Sequence, residues 1–112
     1  MNIAERIQKW IENGNEEECL NLEDLNLTEF PEIPENVKKL NCSFNQLTHL
    51  SDNLYNLQDL NCSNNQLTHL PNLKNLTHLY CNNNQLTKLP NNLPNLILLY
   101  CSSNQLTSLP DN

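Results

Sequence analysis

Glycine is nearly missing from this chain: Gly14 is the only one in 112 residues. Turns must therefore be built from other residues. The chain's 23 asparagines and six prolines are the available material, since asparagine tolerates left-handed backbone and its side chain can satisfy turn carbonyls. Basic residues are also scarce. Six Lys and Arg stand against 13 Asp and Glu, with no basic stripe, which argues against a nucleic-acid partner. No apolar run approaches membrane-spanning length, and Met1-Asn2-Ile3-Ala4-Glu5-Arg6 offers no apolar signal-peptide core. Gly-rich phosphate loops, paired-carboxylate patterns and Ser/His/Asp orders are missing too, so nothing points to catalysis or to a cofactor.

What the chain has is repetition. LNCSFNQLTHL begins at Leu40, LNCSNNQLTHL at Leu60, LYCNNNQLTKL at Leu79 and LYCSSNQLTSL at Leu99, with a weaker copy, LNLEDLNLTEF, at Leu20. The starts are spaced 20, 20, 19 and 20 residues apart. A fixed period of this length marks a solenoid, in which each unit buries its apolar face only against its neighbours. Such a stack presents an extended surface instead of a pocket. Strict leucine register also argues against disorder, because disordered polar tracts lack periodic apolar anchors.

Aligned, the units read L-x-x-L-x-C-x-x-N-x-L-T-x-L-P. The L-x-C core alternates inward and outward with period two, the pattern of a short strand. Strands are expected near residues 20–22, 40–42, 60–62, 79–81 and 99–101, stacked in parallel. About ten residues per coil remain for the return, with Pro71, Pro90 and Pro110 among them. That is too short for a full helix, so the return should be extended or 3₁₀-like.

These residues resemble the leucine-rich repeats over roughly residues 19–112. The short period and the N-Q-L-T-x-L-P ending are similar to the bacterial class found in type III secreted effectors, and residues 27–36 to the repeat that opens that class. The resemblance implies an α/β repeat fold: a right-handed solenoid with short parallel strands on its concave face. It also implies a non-catalytic module for binding proteins. Ubiquitin-ligase members of that class carry their nucleophilic cysteine in a separate domain, and nothing here corresponds to it. Cysteine at the second strand-core position, where an aliphatic residue is usual, departs from the family pattern.

Two segments follow from the pattern: a capping helix with an acidic linker over 1–18, and the solenoid over 19–112. Ile3, Ile7, Trp10 and Ile11 form one apolar stripe that would seal the first coil, with Asn2 as N-cap and Asn13-Gly14 as stop. Glu5, Arg6, Lys9 and Glu12 give the helix no basic face for lipid. Charge is uneven. Residues 1–35 carry ten acids against Arg6 and Lys9 (−8), and residues 36–112 carry three acids against four lysines (+1).

Cys42, Cys62, Cys81 and Cys101 recur at the coil period and should form an inward row about 5 Å apart, the strand spacing. Tetrahedral zinc needs converging ligands, not a row. Asn45, Asn65, Asn84 and Asn104 form a second row, expected to turn inward and satisfy backbone groups of adjacent coils. Leu25 takes that place in the first unit. His49 and His69 are equivalent, but Lys88 and Ser108 follow, so no third metal ligand is supplied. An odd cysteine count of five fits reduced thiols in a cytosol. Glycan acceptors at Asn41 and Asn61 on the expected recognition face favour the same compartment. Asparagine richness is compatible with an AT-rich genome, as in some bacteria or giant viruses; in a pathogen or virus the host cytosol is the expected location.

Recognition is expected on the sheet's outward positions. Lys39, Asp59, His78 and Leu98 precede the strand leucines; Asn41, Asn61, Tyr80 and Tyr100 follow them; Phe44 lies just beyond. Aromatics are enriched at interface hot spots and are unneeded on an idle surface. Five strands about 4.8 Å apart give a face of roughly 300–400 Å², below the roughly 800 Å² per partner of a standard interface. A peptide-like or weakly held protein partner is therefore expected, or additional contacts from the edges. An alternative is self-association. The repeats run to Leu109-Pro110-Asp111-Asn112, so the last coil should be open, covered either by further chain or by a second copy meeting it near residues 96–109.

Overall fold

The structure is a computed structural model, and it describes residues 1–91 and 93–109. Pro110 and the terminal Asp111 and Asn112 lie outside the described residues.

Helix α1 spans Ile3–Asn13 and is bounded as its sequence requires. Asn2 Oδ1 accepts from the Glu5 amide at 2.8 Å while Glu5 Oε1 accepts from the Asn2 amide at 3.2 Å, a reciprocal capping box. Gly14, at φ +72°, closes the other end with its N–H donating to the Ile11 carbonyl. Trp10 is buried, Ile3 and Ile7 pack on the core, and Ile11 is 47% exposed. At 100° per residue Ile11 lies 80° round from Ile3, at the margin of the stripe, so its predicted place in the seal is lost. Two polar contacts pin the helix to the first coil: Trp10 Nε1 donates to Glu18 O at 2.9 Å, and Arg6 Nη1 to Asn21 O at 3.2 Å.

Five strands follow: β1 (Leu20–Asn21), β2 (Lys39–Asn41), β3 (Asp59–Asn61), β4 (His78–Tyr80) and β5 (Leu98–Tyr100). They form one parallel sheet in sequence order. Leu20, Leu40, Leu60, Leu79 and Leu99 are in register through the whole stack. Strands β2 to β5 sit one residue earlier than expected and β1 ends one residue earlier, so the cysteines lie just past the strand ends, although their amides extend the ladder (Cys42 N to Asn61 O, 2.9 Å). An inward leucine alternates with outward neighbours along each strand because successive side chains point to opposite faces.

On the return side no helix forms among the described residues, and an i-to-i+3 bond of the 3₁₀ kind closes a turn shortly before each of β2 to β5. The bonds Val37 N to Pro34 O, Leu57 N to Leu54 O, Leu76 N to Leu73 O and Leu96 N to Leu93 O mark four equivalent turns. Each carries an asparagine at its third position, and these asparagines make a ladder of their own. Asn56 Nδ2 donates to Glu35 O (2.8 Å), Asn75 Nδ2 to Tyr55 O (2.7 Å) and Asn95 Nδ2 to Lys74 O (3.2 Å), each reaching the preceding turn. The core is a column of leucines closed by Trp10, with Cys42, Cys62 and Cys81 wholly buried in it.

Candidate functional site

The outward face of the sheet is where the predicted recognition residues lie. Register sets Lys39, Asp59, His78 and Leu98 side by side in one row, and Asn21, Asn41, Asn61, Tyr80 and Tyr100 in the next. Cys19 stands at the head of the first row, before Leu20, and is exposed. Partial burial and the nearby Asp59 carboxylate raise its thiol pKa, which makes it a poor nucleophile at neutral pH.

The second row divides into two kinds of residue. Asn21, Asn41 and Asn61 each accept, through Oδ1, from the backbone amide two residues on: Glu23 (3.0 Å), Ser43 (3.0 Å) and Ser63 (3.1 Å). These are Asx turns, and they close the bend that leaves each strand. Asn41 and Asn61 thus have a structural task that the sequence reading did not assign. Tyr80 and Tyr100 cannot perform it. In their coils the orphaned amides are taken by neighbours instead: Asn82 N donates to Ser63 Oγ at 3.1 Å, and Ser102 N to Asn82 Oδ1 at 2.7 Å. The two rings stack on each other, centroids 5.2 Å apart and planes 25° from parallel. Their arrangement leaves an aromatic platform beside Leu98 and His78.

Phe44 is the second departure. The residue two positions past each cysteine adopts left-handed backbone in the four regular coils: Phe44 (φ +56°), Asn64 (+59°), Asn83 (+59°) and Ser103 (+56°). Asp24 takes the same place in the first coil, at +57°. Asn and Asp suit this conformation; a phenylalanine there is costly. Its ring is 55% exposed, so packing returns little. Phe44→Asn should raise stability by about 1 kcal/mol, read as a thermal midpoint several degrees higher. A lower midpoint would mean that the ring packs, and would remove it from the recognition surface.

The two predicted inward rows belong to the scaffold. Each ladder asparagine joins adjacent coils: Asn65 Nδ2 donates to Cys42 O and Cys62 O, both at 3.1 Å, and its Oδ1 accepts from Leu47 N at 3.0 Å. Asn45, Asn84 and Asn104 repeat the pattern. Among the described residues no buried side-chain polar atom lacks a partner. Burial raises the thiols of Cys42 and Cys81 to about 12 and pushes that of Cys62 well above its ordinary value. Among the described residues no three His, Cys, Asp or Glu side chains are grouped to hold a metal. His49 and His69 are exposed, and each meets the hydroxyl of the preceding threonine, at 3.2 and 3.3 Å. Among the described residues no helix is long and apolar enough to cross a membrane.

Comparison with known families agrees with this geometry. Residues 74–112 match a family model described as Leucine Rich repeats (2 copies), and residues 56–74 match one described as Leucine Rich Repeat. Comparison with curated proteins gives no significant match. Both family models are of leucine-rich repeats in general, and resemblance to the bacterial effector class rests on the period, the NQLTxLP ending and residues 27–36. With half the sequence matched and five parallel strands stacked at the coil period, this chain belongs to the leucine-rich repeat proteins.

Proposed function

We propose that this protein is a non-catalytic interaction module whose outward sheet face binds a protein or peptide, with Tyr80, Tyr100 and Phe44 as its anchors. Leucine-rich repeat domains are in general protein-interaction modules. The observation that carries the reading is the exchange of asparagine for tyrosine at positions 80 and 100. The fold favours an Asx-turn acceptor there, and two coils have given it up for exposed or half-buried rings. Lys39, Asp59, His78 and Leu98 flank the rings and would set specificity. The proposed setting is a reducing cytosol, in keeping with free thiols at Cys19 and along the core.

Tyr80→Asn with Tyr100→Asn tests the reading. The pair loses a ring stack worth about 0.5–1.5 kcal/mol and exchanges the bonds from Asn82 N and Ser102 N for local Asx bonds, so stability should fall by no more than about 1.5 kcal/mol. A partner retained by the wild-type protein in a pull-down from the native host should bind the double variant at least about fivefold more weakly, a loss of more than 1 kcal/mol. Unchanged capture, or a melting point many degrees lower, would show that the rings serve packing.

A further inference from the structure

We infer that the cleft at the C-terminal end of α1 is a docking site for a basic segment of a partner protein, with one arginine side chain seated in it. No residue of the outward sheet face lines this cleft, so it is a second surface, distinct from the aromatic one.

The cleft encloses about 250 Å³ between α1 and the first return turn, room for one long side chain. Trp10, Ile11 and Pro34 supply its apolar walls, and Gly14, Glu16 and Asn36 its rim. This is where the apolar stripe of α1 fails to close, because Ile11 stands half-exposed at its margin. Gly14 keeps the mouth open: a Cβ added there would meet nothing within 4 Å.

Charge selects what enters. The last turn of α1 holds no basic residue, and its final carbonyls carry the partial negative charge of a helix C-terminus. Glu16 lies on the rim, oriented by Asn36 Nδ2, which donates to one carboxylate oxygen at 3.1 Å. Glu35 is exposed in the return turn between the lining residues Pro34 and Asn36. Among the described residues the one ion pair joins Lys38 to Glu17 at 3.3 Å, so neither Glu16 nor Glu35 is neutralised. Arg6 and Lys9, the two bases of the first 35 residues, line a different hollow with Cys19 and Asn21. Ten acids against those two bases leave this part at −8 beside near-neutral repeats. Such an imbalance opposes folding through self-repulsion, and a cationic partner relieves it. Apolar walls with a negative mouth fit an amphipathic side chain, its methylenes against Trp10 and Ile11 and its head at the opening. Arginine suits the site better than lysine, because its planar fork can bridge Glu16 and a helix carbonyl at once.

The chain's single tryptophan and single glycine both line the cleft, so the NMR signals of Trp10 Nε1–H and the Gly14 amide report on it directly. The probe is a short blocked peptide of alternating arginine and glycine, titrated into the full chain, with a glutamine–glycine peptide as control. We expect both signals to move with the arginine peptide and to stay still with the control. Glu16→Gln and Ile11→Asn should each raise the dissociation constant at least about fivefold. Glu29→Gln removes the same charge from an exposed acid outside the cleft and should bind as the wild type does. Circular dichroism should show every variant folded, since all three positions are exposed. Still signals at millimolar arginine peptide, an equal response to the control peptide, or equal weakening by Glu29→Gln would each overturn the inference. So would shifts largest at Tyr80 and Tyr100, which would place basic ligands on the sheet face. The tyrosine variants above decide that face separately, because they leave the cleft intact.

Discussion

Asn65→Ala should cost about 4 kcal/mol or more, one of the largest losses available to a single substitution in this chain. The side chain is 8% exposed, and it serves backbone groups of two coils at once: Leu47 N–H, the Cys42 and Cys62 carbonyls, and Ser63 O at 3.3 Å. Removing it strands a buried donor and shorts two acceptors, each at about 1–3 kcal/mol, in a domain whose whole stability is about 5–15 kcal/mol. Asn104 makes the same bonds in the last coil but is only partly buried, so water can replace them and Asn104→Ala should cost less than half as much. Asn65→Asp should be no better than alanine. It keeps the acceptor for Leu47 N–H but turns a negative charge toward carbonyl oxygens. Urea unfolding of the three variants gives the comparison. Equal losses at positions 65 and 104 would refute the idea that burial sets the value of the ladder.

Alkaline unfolding is the second large effect. The thiols of Cys42 and Cys81 rise from an ordinary value near 9.0 to about 12 because burial disfavours the thiolate, and that of Cys62 moves the same way for the same reason. A folded value above the unfolded one means that folding favours the neutral thiol. That contribution is complete below pH 9 and is lost as pH climbs toward 12, at about 1.4 kcal/mol per unit for each thiol. Between pH 9 and 11 Cys42 and Cys81 together withdraw roughly 5 kcal/mol, a large share of the about 5–15 kcal/mol that holds a domain folded. We expect a cooperative loss of circular dichroism in that window. Replacing Cys42, Cys62 and Cys81 by valine should move it to higher pH, at a cost near neutrality of less than about 1.5 kcal/mol per site. If the valine variant unfolds at the same pH, other titrating groups are responsible.

Leucine register made the stack legible, because an apolar residue every 20 positions has no other economical burial. Asn2 and Gly14 likewise announced the helix ends, through chemistry that needs only neighbours in sequence. Less legible were the residues whose role depends on the next coil. Asn56, Asn75 and Asn95 recur at the repeat period, and that recurrence was the available signal. Their acceptors, however, are backbone carbonyls about 20 residues away, which no side-chain pattern displays. Asn41 and Asn61 read as recognition residues from sequence, and the Asx turns show their oxygens engaged by the backbone. Phe44 was recognised as an exposed aromatic, but its left-handed backbone became apparent only from alignment with Asn64 and Asn83 in space. The proposed recognition surface is the least determined by sequence, because the stack does not require any particular residue at most of its positions.

Each strand touches only the strand before and after it, and α1 touches only β1 among the strands. This locality makes length a heritable variable. Unequal recombination between the stretch at Leu40 and its near-copy at Leu60 would remove or add one whole unit of 20 residues in frame. Every asparagine would still find the carbonyl it needs one unit away, and the helix would still meet an unchanged first coil. The lineage can therefore explore longer and shorter forms in single genetic steps that preserve folding, and each step shifts which rings stand side by side.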